Sequence, residues 1–124
     1  MDGILIAKNK GLKPKAIIPV DLFGLPADYK IIEAVAEENN LFILEDTAQG
    51  LGGEINGERA GSFGHVAATS FFPAKPLGCY GDGGAIFTND DELNIIMKSI
   101  RVHGGGIDKY DNVCVGLNDR LETS

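Results

Sequence analysis

Tryptophan is absent from this 124-residue chain, aromatic residues make up only 7% of it, and there are just two cysteines. Cys79 and Cys114 have no CxxC spacing, so no disulfide framework or thiolate metal site is written into the chain. They read as free thiols of a reducing cytosol. Histidine is equally scarce: His65 and His103 stand alone, and no metal site is expected. Positive charge is in short supply, with 11 Lys and Arg against 18 Asp and Glu and a net charge of −7. The cations are scattered rather than striped, which argues against a nucleic-acid or anionic-membrane partner, because phosphate backbones need clustered cations. Long apolar runs are also missing; none approaches the roughly 18 residues of a membrane span. The opening MDGILIAKNKGLKPK has an apolar stretch of only four residues and no small-residue cleavage pattern. A signal peptide is therefore not expected, and a cytoplasmic location is.

What is present is enough to build a core. Hydrophobic residues account for 44% of the chain, the mean hydropathy is +0.00, and the length suits one domain. Glycine is the outlier. There are 17, nearly twice the roughly 7% of ordinary proteins. Residues 50, 52, 53, 57, 61, 64, 78, 81, 83 and 84 put ten of them in one stretch. No short period organises them, so collagen-like and low-complexity readings fail. Glycines concentrated between apolar runs point to tight turns or to close approach of backbone to a ligand.

The order of elements suggests an α/β sheet. AIIPV at 16–20 reads as a short strand, with Pro19 favouring an edge position or an early end. Asp28 can cap a helix running to Asn39, with Ile31, Ile32, Val35 and Ala36 on one face, and Asn39-Asn40 stops it. LFIL at 41–44 is continuous rather than alternating, as a parallel strand covered on both sides is. Strand, helix and strand in this order form a βαβ unit. EINGERA carries an Asn-Gly hairpin turn. HVAATSFF and AIFT are further strand candidates. Asn89 with Glu92 reads as a capping box, followed by Leu93, Ile96, Met97 and Ile100 at the spacing of an amphipathic helix. Four strands with two helices leave much of one sheet face bare, so the chain is expected to be part of a larger domain.

In open α/β sheets, ligands collect beyond the carboxyl ends of the strands. Asp46 follows LFIL, Gln49 lies within a turn of it, Ser70 follows HVAAT, and Lys75 comes five residues later. Each has an ordinary alternative. Asp46 can cap a turn, Gln49 alone carries no signal, Ser70 can bond its own loop, and a lone lysine is usually solvated. Together they match the needs of pyridoxal 5′-phosphate (PLP), which takes a lysine amine, a carboxylate at the pyridine nitrogen and small donors around its phosphate. The stretch TSFFPAKPLGCYGDGG also fences its lysine between prolines and four glycines.

EDTAQG at 45–50 followed by TSFFPAKPLGCYGDGGAIFTND at 69–90 resembles the DegT/DnrJ/StrS sugar aminotransferases. IPVDLFGLPAD upstream, and IRVHG at 100–104 and GLNDRLE at 116–122 downstream, resemble the family's flanking segments in the same order. The likeness covers the chain from about residue 14. It implies a fold-type I, aspartate aminotransferase-like large domain with a mostly parallel sheet and flanking helices. Residues 1–124 would be part of that PLP-binding domain, without its N-terminal part and without the C-terminal small domain. It further implies that Lys75 carries the cofactor as a Schiff base and then serves as the general base of the proton shift. Asp46 would pair with the pyridine nitrogen, Gln49 would contact the ring or its 3′-oxygen, and Ser70 would hold the phosphate. Asn118 would reach the phosphate across a homodimer interface.

Some dehydratase relatives carry histidine where the Schiff-base lysine belongs, so Lys75 favours transamination over dehydration. Thr47 stands where relatives often have alanine. The wording of the lysine loop is closest to enzymes acting on UDP-linked 2-acetamido-3-oxo sugars, including the glucuronates, with L-glutamate as amino donor. Two other readings stay open: a non-catalytic α/β segment binding a phosphorylated ligand, and a PLP-dependent sugar dehydratase relative.

Overall fold

The computed structural model describes residues 2–108 and 110–118. In chain order the elements are α1 (Asp2–Asn9), β1 (Ala16–Ile17), α2 (Tyr29–Asn39), β2 (Phe42–Asp46), β3 (Glu54–Ile55), β4 (Glu58–Arg59), β5 (Val66–Ser70), β6 (Gly84–Phe87) and α3 (Asp91–Arg101). The main sheet has the order β1-β2-β5-β6. β1, β2 and β5 are parallel, while β6 returns antiparallel to β5. This is an α/β unit with a mostly parallel sheet, as the strand-helix-strand order predicts.

β1 is shorter than AIIPV, because Pro19 lacks the N–H a longer ladder needs. Its direction continues nonetheless: the Asp46 N–H donates to the Pro19 carbonyl at 2.9 Å, and Val20 bridges Asp46. β1 lies at one edge of the described sheet and β6 at the other. Asp28 caps α2 by accepting from the Ile31 N–H, and Asn40 closes it in the left-handed conformation. EINGERA forms the β3–β4 hairpin, with Asn56 and Gly57 both at positive φ as a type I′ turn requires.

Three expectations need correction. Ile31 is exposed rather than on the packed face; Tyr29, Ile32 and Ala36 face the core instead. The cap of α3 is Asp90, one residue past Asn89, and its carboxylate accepts from the Glu92 and Leu93 N–H groups. β2 runs two residues beyond LFIL and its burial alternates, with Ile43 and Glu45 buried and Phe42, Leu44 and Asp46 half-buried. One of its two faces is fully buried and the other only half-buried.

The fully buried face holds the core: Tyr29, Ala36, Leu41, Ile43 and Phe63, with Ile4, Ile17, Ala27, Ile32 and Ile55 packed around them. Tyr29 stacks on Phe63 with ring centroids 4.3 Å apart and planes 4° from parallel, an arrangement that adds to simple area burial. α1 contributes Ile4, a role its short apolar stretch does not announce. α3 buries none of its residues, and Ile95, Ile96 and Ile100 are exposed. Among the described residues, no helix is long and apolar enough to cross a membrane.

Candidate active site

β2 ends on Asp46 and β5 ends on Ser70, and pairing of Asp46 with Ala68 sets these two carboxyl ends side by side. Both backbone polar groups of Asp46 bond the segment after β1: its N–H donates to the Pro19 carbonyl, and its carbonyl accepts from the Asp21 N–H, each at 2.9 Å. Its Oδ1 accepts from the Ala48 N–H at 3.1 Å, so the carboxylate shapes the turn that follows. Ser70 Oγ accepts from the Phe72 N–H at 3.2 Å, leaving its hydroxyl proton free to point elsewhere. Both ordinary roles, the turn cap and the loop bond, are thus present in the structure.

Residues 71–83 leave β5 and return at the same sheet end. The Phe71 N–H donates to the Gly83 carbonyl at 2.7 Å, and the Cys79 N–H to the Phe71 carbonyl at 2.8 Å. Inside this loop the Lys75 N–H closes a turn on the Phe72 carbonyl at 2.8 Å. The glycines after the lysine act by compactness rather than by left-handed backbone, since none of residues 78, 81, 83 and 84 has positive φ. A Cβ on Gly78 would come within 2.6 Å of the Pro73 carbonyl oxygen, and one on Gly84 within 2.6 Å of that of Thr69.

The loop brings Lys75 beside Gln49. Together with Phe72, Ala74 and Pro76 they line an open depression of about 580 Å³. Gln49 is placed by backbone contacts, its carbonyl accepting from the Gly24 N–H at 3.1 Å. Asn118 is not part of this depression; it is exposed and bridges Val102 after α3. The segment 119–122 of GLNDRLE lies outside the described residues. A second depression, of about 410 Å³, is lined by Glu33, Glu37, Asn40, His65 and their neighbours. It opens at the amino ends of β2 and β5, the wrong end of the sheet for a ligand site. Among the described residues, no group of three potential metal ligands exists.

The sequence reading passes over two acids behind this edge. Asp21 and Glu45 are completely buried. Glu45 Oε1 accepts from the Gly61 N–H at 2.6 Å and Oε2 from the Phe63 N–H at 2.8 Å. Asp21 Oδ1 accepts from the Ala27 N–H at 3.0 Å and from the Tyr29 hydroxyl at 2.9 Å. Burial pushes the Glu45 carboxyl up to about 7; Asp21 adds to the rise, and the two amides oppose it. Burial, then the bond to Asp21, also holds the Tyr29 phenol well above its ordinary range. The signal for Glu45 was available: it lies two residues from Ile43, so a strand extended past LFIL puts both on the core side.

The family model for DegT/DnrJ/EryC1/StrS aminotransferases matches residues 5–124. The chain belongs to that family. It is 50% identical over 111 residues to the UDP-2-acetamido-2-deoxy-3-oxo-D-glucuronate aminotransferase of Pseudomonas aeruginosa, covering 90% of this chain and 31% of that protein. A solved DegT/DnrJ/EryC1/StrS aminotransferase from Brucella abortus superposes with a TM-score of 0.91 at 59% identity, over 95% of this chain and 32% of that one. A Bacillus subtilis relative solved with its bound cofactor PMP gives a TM-score of 0.73 at 32% identity, over 86% and 24% of the two chains. This DegT/DnrJ/EryC1/StrS chain therefore spans about a third of the length of the curated relatives it matches.

Proposed function

We propose that this chain is part of the cofactor-binding large domain of a PLP-dependent nucleotide-sugar aminotransferase. In this reading the enzyme moves an amino group from L-glutamate to a keto sugar, most specifically a UDP-linked 2-acetamido-3-oxo sugar. The observation that carries the reading is the loop at 71–83, which sets Lys75 beside Gln49 at the sheet end where β2 and β5 finish on Asp46 and Ser70. One amine, one amide, one carboxylate and one hydroxyl at the carboxyl ends of adjacent parallel strands form the donor set that PLP takes.

When bound, PLP would supply an electron sink for the charge left on a carbon that loses its proton. The chain's own residues would do the rest. Lys75 Nζ would hold the aldehyde carbon and carry the proton between carbons, Asp46 would pair with the pyridine nitrogen, Gln49 would contact the ring, and Ser70 would donate its hydroxyl to the phosphate. Asn118 would complete the phosphate site of a second copy in a homodimer, which agrees with its position away from the Lys75 depression. The sugar follows the P. aeruginosa relative, an enzyme of a UDP-linked 3-oxo glucuronate. A cytoplasmic site of action fits the two unpaired cysteines.

The test has two arms. The full-length protein is incubated with PLP, reduced with borohydride and digested; the reading expects a reduced adduct on Lys75, and none there sinks it. The 3-oxo UDP sugar is then offered with and without L-glutamate, and the amino sugar is sought by mass. Cofactor capture without glutamate-dependent amination would instead favour a dehydratase relative. Capture by the full-length protein but not by the 124-residue chain would mark this segment as non-catalytic by itself.

A further inference from the structure

Ordinary packing does not account for the two sealed acids. Isolated buried carboxylates are strongly disfavoured, and two in one apolar space repel each other as well. Among the described residues, neither Asp21 nor Glu45 forms an ion pair with a lysine, arginine or histidine. Three of the four carboxyl oxygens have donors; the fourth, Asp21 Oδ2, is buried and has none. The Tyr29 hydroxyl from α2 bonds to Asp21, and the Asp46 carboxyl at the end of β2 acts on that same hydroxyl. Neither can relieve the repulsion, since one is a neutral phenol and the other a third acid. A single proton between the two carboxyls does both jobs, halving the buried charge and giving Oδ2 its partner. The parallel Val20–Asp46 bridge puts the neighbouring Asp21 and Glu45 on one face of the sheet. There Tyr29, bonded to Asp21, stacks on Phe63, whose N–H bonds Glu45.

We propose that Asp21 and Glu45 share one proton through Asp21 Oδ2, and that this bond is a positioning element for the end of β2. The mechanical link is short. The Asp21 N–H holds the Asp46 carbonyl, and Glu45 is the residue before Asp46. A Cβ on Gly50 would lie 2.4 Å from Asp21 Cβ, so the turn that carries Gln49 rests on the same aspartate. Losing the shared proton sets two carboxylates against each other and drives the loop at 21–27 away from β2. Asp46 and Gln49 move with it. The effect on cofactor binding rests on the roles proposed above for those two residues; the shared proton does not.

Infrared titration of the cofactor-free, full-length protein tests the pair directly. Asp21→Asn mimics the protonated state, because its amide nitrogen replaces Oδ2 as a permanent donor to Glu45. Wild type is expected to show a protonated-carboxyl band of one equivalent per chain at about pH 6, half lost near pH 7. The band should be missing in Asp21→Asn. If wild type has no such band at pH 6, or Asp21→Asn retains it, the proposal is overturned; the wild-type titration decides even if the variant fails to fold. A second readout is PLP affinity against pH. Between pH 6 and pH 8 wild type should weaken severalfold more than Asp21→Asn, a difference that a merely structural role would not produce. Parallel weakening in both proteins would remove the positioning role. A missing borohydride adduct on Lys75 would sink the functional reading while leaving the infrared result to stand or fall alone.

Discussion

Tyr29→Phe isolates one bond in the core. The ring is 3% exposed and stacks on Phe63, while its hydroxyl donates to Asp21 Oδ1 at 2.9 Å. Phenylalanine keeps the stack and the buried area and removes a single donor, leaving Oδ1 with the Ala27 N–H alone. A hydrogen bond to a charged acceptor contributes about 1.5–3 kcal/mol, and a neutral one about 1. No cavity larger than a hydroxyl is made, so the substitution should cost about 2 kcal/mol. In urea, with a slope of about 2 kcal/mol/M, the midpoint should fall by about 1 M with the slope unchanged. A double-mutant cycle sharpens the test. In an Asp21→Asn background the acceptor is a neutral amide, so the same Tyr29→Phe change should cost only about 1 kcal/mol. A loss below about 0.5 kcal/mol in the wild-type background would refute the reasoning, because it would mean that buried Asp21 does not depend on this donor.

Further outcomes can be checked in the same protein. Glu45 is raised to about 7 from an unfolded value of about 4.3, so between those values the folded state holds a proton that the unfolded state has released. Its contribution to stability is complete below pH 4.3 and is lost as pH rises through about 7; thermal melts should show this loss in wild type and not in Asp21→Asn. Gly50→Ala forces a methyl onto Asp21 Cβ at 2.4 Å, and overpacking of this kind should cost about 1–3 kcal/mol in urea unfolding. Thr47 Oγ1 is buried without a partner, so Thr47→Val should leave stability unchanged or raise it by about 1 kcal/mol. Asp46→Asn should weaken PLP binding and slow turnover by about 10²–10⁴; near-normal turnover would show that the acid is misassigned.

The sheet was legible where apolar runs end in a polar residue. LFIL runs into Asp46 and HVAAT into Ser70, and both acid and hydroxyl close their strands. The Asn-Gly hairpin was legible because positive φ at two successive positions selects few residue types. Local pattern failed where tertiary contact decides. α1 is held to the core through Ile4 while Leu5 and Ile6 are exposed, so its apolar stretch gives no helical face to read. Asn89 and Asp90 are both good caps, and a one-residue choice between them depends on where the turn after β6 ends. Asp21 and Glu45 were hidden for a different reason. Acids are rarely buried, and only the meeting of two distant segments supplies the amides and the hydroxyl that make these two tolerable.

The reversal of β6 has a consequence for how the protein can change. Because β5 and β6 run in opposite directions, the lysine loop begins and ends at one rim of the sheet. Its two closing bonds, Phe71 to Gly83 and Cys79 to Phe71, involve main-chain atoms alone. The span between them is therefore a cassette. Its side chains can be exchanged for those of a relative, reshaping what the amine meets, while the pairing from Ala67–Phe87 to Ser70–Gly84 stays as it is.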